Sequence, residues 1–180
     1  MAEEDIKIFS KKAGNAHQKQ QYDPEEYELQ NRNGNRALAK GFGVSLAEEV
    51  VGSVEQFPMA CDAKNYELKM QKGILLAFTA IAAIEKNFPS DILANAAENK
   101  FYQTLSEIKP ELYRAAADSG AFSFYYVAFR RGNEVDRRIG QTFAMLCAHD
   151  GDSVYQELGE ALFCWFISKI DKRFETIKFV

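Results

Sequence analysis

The sequence predicts an all-α fold: a single bundle of about six helices around one buried hydrophobic helix, preceded by a polar N-terminal extension. Three observations carry this. Residues 73–84 read Gly-Ile-Leu-Leu-Ala-Phe-Thr-Ala-Ile-Ala-Ala-Ile, and Thr79 is the one side chain among them that prefers water. Four alanines and two leucines favour helix over strand, the run is too long for an ordinary buried strand, and a helix apolar on every side must be covered on every side. Capping residues and proline breaks recur between apolar stripes of helical spacing. No stretch alternates apolar and polar residues between turn signals, so no sheet is expected.

Residues 1–44 are polar, rich in Asn, Gln, Lys and Gly, and too poor in large apolar side chains to build a core, which leaves 45–180 as the helical domain. Within the extension, Asp23-Pro24-Glu25-Glu26 supplies an N-cap, a proline at the first helical position and a Glu at N3. A short helix is expected through Tyr27 and Leu29, ended by Asn33-Gly34-Asn35. Ser45 with Glu48 forms a second capping box, after which Leu46, Val50, Val54 and Phe57 recur at helical spacing until Pro58.

The central helix begins between Asp62 and Tyr66 and stops before Pro89, which forces Phe88 out of the helical region. Ser90 and Asp91 open the next, with an apolar stripe of Ile92, Leu93, Ala96, Phe101, Leu105 and Ile108. Lys109-Pro110 breaks it and seeds a short helix through Leu112, Tyr113 and Ala116 that Gly120 terminates. A further helix covers 122–131 and ends at Gly132. Asn133 caps its successor, with Asp136 at N3 and with Val135, Ile139, Thr142, Leu146 and His149 on one seam. Asp150-Gly151-Asp152 then turns the chain, and Ser153 with Gln156 opens the last helix, through Leu158, Leu162, Trp165, Phe166, Ile170, Phe174 and Ile177. The middle of that helix, 161–167, is apolar on every side, so it must be deeply buried or shared with a second subunit.

Setting Gly73 against Gly159 also pairs Leu76 with Leu162, Ile81 with Ile167, Ile84 with Ile170 and Phe88 with Phe174. A duplicated half would give this match. Two unrelated buried helices would give it too, and the match does not extend upstream, so the second reading is preferred.

A chain of 180 residues, 47% hydrophobic, can bury roughly 70% of its unfolded surface in one domain without a disulfide or metal staple. A net charge of −4 argues against nucleic acid, whose binding draws on clustered Lys and Arg. Cys61, Cys147 and Cys164 are odd in number and lack CxxC spacing, so they read as reduced core thiols. The first twelve residues carry Glu3, Glu4 and Asp5 and no apolar h-region. The apolar run at 73–84 is bracketed by Lys69, Lys72, Glu85 and Lys86, well short of the ~18 residues a span needs. A cytoplasmic protein without a membrane partner is the expectation.

Chemistry-bearing patterns are few. A calcium loop from Asp150 fails at Val154 and Tyr155, no pair of Glu-x-x-His motifs offers a di-iron centre, and neither a P-loop nor GxSxG occurs. Gly41-Phe42-Gly43 reads as a flexible hinge into the domain rather than a phosphate turn, since no strand precedes it. No metal or cofactor is implied. His149 closes a helix, where the macrodipole favours a cation, with Cys147 two residues away and therefore on another face. The densest candidate is 122–138, in which Phe122, Phe124, Tyr125, Tyr126 and Phe129 crowd one short helix beside Arg130, Arg131, Arg137 and Arg138. The competing reading is that the rings fill core and the arginines serve helix ends and Glu134.

The expectation is accordingly a binding or interaction module, taking a partner protein or a small anionic ligand in a groove of Tyr125, Tyr126, Phe129, Arg130, Arg131, Arg137, Arg138 and His149. The rival is a small-molecule enzyme with a pocket assembled from distant helices around His149 and the Tyr125/Arg130 region. The apolar last helix and the tail Ile177-Lys178-Phe179-Val180 also suit a homodimer interface, unless the tail tucks into its own core.

Overall fold

Asp23 opens the first helix as its neighbours require. Its carboxylate accepts the Glu25 N–H at 3.0 Å, and Pro24, with no N–H to satisfy, sits at the first helical position. Gly34 then takes φ +77° and turns the chain straight into a second helix. The computed structural model describes residues 22–56, 66–118 and 120–180, in which every regular element is helical. These are α1 (Pro24–Arg32), α2 (Asn35–Gln56), α3 (Tyr66–Asn87), α4 (Asp91–Ile108), α5 (Pro110–Asp118), α6 (Ala121–Arg130), α7 (Val135–Leu146) and α8 (Ser153–Phe174). Among the described residues eight helices stand where about six were expected, the short α1 of the N-terminal extension and the short α5 making the difference.

The bundle is built around α3, which touches α2, α4, α5, α6, α7 and α8. Every residue from Gly73 to Ile84 is buried. Thr79 is satisfied within the helix, its hydroxyl donating to the Leu75 carbonyl at 2.8 Å. Lys72, 3% exposed, donates from Nζ to the Val54 carbonyl at 2.9 Å, which places its charge in the last turn of α2 where the helix dipole favours it.

The expected boundary at 44/45 falls inside α2, with Ala39 and Phe42 already in the core. Gly41-Phe42-Gly43 is therefore no hinge, and Ser45 is no cap; its hydroxyl donates to the Phe42 carbonyl in mid-helix. A Cβ on Gly43 would overlap the Ala97 carbonyl oxygen, so the glycine serves close approach of α2 to α4. Gly140 plays the same part between α7 and α8, against the Gln156 carbonyl. Phe57, Pro58 and Cys61 lie outside the described residues.

Several local expectations shift. Ile108 is 44% exposed rather than part of the apolar stripe of α4. Asn133 does not cap α7, which starts after Glu134 in a left-handed conformation at φ +50°. Asp152, rather than Ser153, caps α8 by accepting the Val154 N–H at 2.9 Å. The glycines matched as internal equivalents have unlike surroundings, Gly73 against Leu112 of α5 and Gly159 against Phe143 of α7. The helix preceding each central one also packs differently, α2 chiefly on α4 but α7 chiefly on α8. Two independent buried helices account for this better than a duplication.

Ion pairs tie α8 to its neighbours: Glu49 of α2 meets Lys169 at 2.7 Å and Arg173 at 2.8 Å, and Asp171 meets Lys86 of α3 at 2.9 Å. Partly exposed pairs of this kind contribute at most ~1 kcal/mol each. The tail folds back on its own bundle, where Phe179 packs on Phe88 and Phe174. Among the described residues no helix is long and apolar enough to cross a membrane.

Candidate functional site

Helix α6 places its rings by register. Phe122, Tyr125, Tyr126 and Phe129 stand at i, i+3, i+4 and i+7, which is one face of a helix, and that face covers Phe78 of α3. Centroid distances from Phe78 are 5.7 Å to Phe122, 5.2 Å to Tyr125, 5.1 Å to Tyr126 and 6.1 Å to Phe129, mostly edge-to-face. The three rings expected to line a groove thus build core. The outward apolar residues of α6 are Phe124 and Val127, 51% and 53% exposed, and the spacing of the helix marks them as such.

Tyr125 is fully buried, and its hydroxyl has no hydrogen-bond partner among the described residues. Burial, and then the Cys147 thiol, push its pKa well above the usual range, so it stays a neutral phenol. Tyr126 donates to Glu85 Oε1 at 2.9 Å; burial first and the Glu85 carboxylate second raise its pKa also. The Arg130 guanidinium lies 5.2 Å from the Tyr126 ring centre.

The remaining arginines serve the α6–α7 turn or solvent. Arg138 donates to the Arg131 carbonyl at 3.1 Å, Arg137 lies 3.5 Å from Glu134, and the Arg131 side chain is exposed. His149 is not on a core seam, because α7 ends at Leu146 and Ala148 turns at φ +58°. Its ring stacks on Tyr155 at 3.8 Å, with Nδ1 3.8 Å from Asp152. Arg137 and Arg138 lie in the first turn of α7, so about 12–14 Å of helix separates them from its end at Leu146, beyond which His149 lies. The eight candidates do not converge on one site.

Neither described thiol is activated. Burial holds Cys147 at a pKa of about 12, with a smaller push from Glu67, and burial also raises Cys164. At pH 8 the Cys147 thiolate is scarcer than in an unfolded chain by roughly a thousandfold. Iodoacetamide at that pH is expected to leave Cys147 unmodified in the native protein and to label it in denaturant, as read by peptide mass mapping. Rapid native labelling would contradict this burial. The same shift makes the thiol a source of alkaline instability: the folded chain keeps a proton that the unfolded chain loses above about pH 8.5, so this contribution declines from there towards pH 12. Among the described residues no group of three His, Cys, Asp or Glu could hold a metal ion.

A cleft of about 100 Å³ opens elsewhere, where the end of α2, the first turns of α3 and the start of α5 meet. Val51, Val54, Met70 and Leu112 give it apolar walls around Gly73. Tyr66, Lys69, Lys109 and Glu111 complete its lining, Lys109 lying 3.2 Å from Glu111. The walls are apolar because they are the unfinished edge of the core that α2, α3 and α5 share. Two lysines and one glutamate are in the lining, Lys109 paired with Glu111 and Lys69 also engaged in an interaction. No family model, curated protein or solved structure matches this chain. The cleft geometry is therefore the basis on which function can be argued.

Proposed function

We propose that the protein is a binding module for a small anionic ligand with a short apolar body, held in the cleft between α2, α3 and α5. The observation that carries this reading is an apolar recess of Val51, Val54, Met70 and Leu112 lined also by two lysines and one glutamate. A recess of this size takes a short alkyl chain or a single ring, and Lys69 and Lys109 can meet a carboxylate beside it. The groove expected on α6 and α7 gains no support, because its rings cover Phe78 and its arginines face the turn and solvent.

Hexanoate, with an apolar chain and one carboxylate, is a suitable probe. Its titration is expected to shift the amide resonances of Val51, Met70 and Gly73. Replacing both Lys69 and Lys109 by Glu should weaken the interaction at least tenfold, with circular dichroism checking that the altered chain stays helical after loss of the Lys109–Glu111 pair. Shifts confined to the α6–α7 turn, or binding unaffected by the charge reversal, would sink the reading.

A further inference from the structure

Helix α8 covers its apolar side within its own chain. Gly159, Leu162, Phe163, Phe166 and Ile170 are buried, and the helices that pack on α8 are α7 and α3. On the opposite side Glu157, Ala161, Ser168 and Lys172 are all exposed, and their spacing of i, i+4, i+11 and i+15 puts them on one face. Cys164 and Trp165, half-buried, flank the middle of that face.

Charge along the face runs from acid to base. Glu157 and Glu160 stand in the N-terminal half, Lys169 and Lys172 in the C-terminal half. The helix dipole accounts for Lys172, which lies in the last turn, but not for the acids, because the first turn holds none and the dipole acts little beyond it. Lys169 already meets Glu49 at 2.7 Å. Glu157 and Lys172 have no hydrogen bond or ion pair among the described residues.

This order of charges is its own complement. A twofold axis at the midpoint of Cys164 and Trp165 lays α8 of a second copy antiparallel on the first, setting Glu157 opposite Lys172 of the second copy and Lys172 opposite its Glu157. The same operation sets Ala161 opposite Ser168, small side chains that let two helix axes approach to ~8 Å, and Cys164 opposite Trp165. Parallel packing would instead set Glu157 on Glu157 and Lys172 on Lys172.

We propose that this face of α8 is a homodimer interface, on which a second copy of the chain packs antiparallel in this register with a Glu157–Lys172 pair at each end. One helix pair is at the low end of specific interfaces, so a Kd of roughly 10 μM is expected. No residue of α8 lines the α2/α3/α5 cleft, so dimer formation and hexanoate binding stand or fall separately.

Sedimentation velocity of the full chain at low salt, from about 1 to about 200 μM, is expected to show the 20.4 kDa monomer giving way to a dimer. Glu157→Lys and Lys172→Glu, taken singly, each set like charges opposite one another at both ends, and each should weaken association at least tenfold. Mixed in equal amounts, the two single variants should associate again, because every charge then meets its opposite across the heterodimer. Circular dichroism checks that the variants fold. If a charge variant does not, Ala161→Arg decides the matter, since it sets bulk and a cation against the C-terminal half of the second copy's α8 and should abolish the dimer. A monomer at every concentration overturns the proposal, and so does an association that the single changes leave intact, that mixing fails to restore, or that Ala161→Arg does not disturb.

Discussion

Replacing Gly43 by alanine is expected to destabilise the protein by about 2 kcal/mol, whereas the same change at Gly41 or Gly52, in the same helix, should stabilise it by about 0.5–1 kcal/mol. The local term is shared by all three, since alanine in a helix interior loses less conformational freedom on folding than glycine does. What differs is the neighbour. A Cβ at Gly41 or Gly52 meets nothing within 4 Å, but at Gly43 it overlaps the carbonyl of Ala97, which is backbone and cannot rotate away. Relief requires α2 and α4 to separate, and overpacking of this kind costs roughly 1–3 kcal/mol or more. Thermal denaturation should show Gly43→Ala melting about 4–8 °C lower and the two controls slightly higher. If all three rise together, α2 and α4 do not approach as closely as described.

Phe78→Ala should have the larger effect, a loss of about 3–5 kcal/mol from a total that rarely exceeds ~15 kcal/mol. Phe78 is fully buried, and four rings of α6 stand around it, so truncation removes its own transfer energy and leaves a void those rings cannot collapse to fill. Tyr126→Phe is the matched control. It deletes only the hydroxyl bonded to Glu85, a partly exposed carboxylate that water can serve, and should cost about 1 kcal/mol or less. Chemical denaturation separates the two outcomes. A Phe78→Ala loss as small as the control's would mean that α6 is not anchored through its rings.

Both results bear on the candidate site, because Phe78 is the reason the α6 rings are unavailable to a ligand. Their placement was readable in the chain: 122, 125, 126 and 129 form a single helical stripe, and the remaining ring, Phe124, falls outside it. Counting rings suggests a groove; their period indicates a core face. The arginines are less readable. Arg138 closes the turn onto the Arg131 carbonyl, an arrangement set by Glu134 in a left-handed conformation that a bulky non-glycine residue seldom adopts. Placing His149 on a seam extends the period of α7 three residues too far, past the point where Ala148 leaves the helix.

Sequence by itself determined the features that depend on neighbours along the chain. The all-helical class, the covered run from Gly73 to Ile84, the Asp23-Pro24 start and the stop before Pro89 arise from side-chain period, capping and proline sterics, which act over a few residues. Tertiary structure alone decided the rest. Helix α2 runs through Gly41 and Gly43 despite their poor propensity, with Gly43 fitted against the Ala97 carbonyl from α4. The cleft joins Val51, Met70 and Leu112, and hydrogen bonds join Asn35 to Val180, across sequence separations that leave no periodic trace. Contacts of that range are settled by how the helices pack, and packing is a property of the whole bundle rather than of any segment.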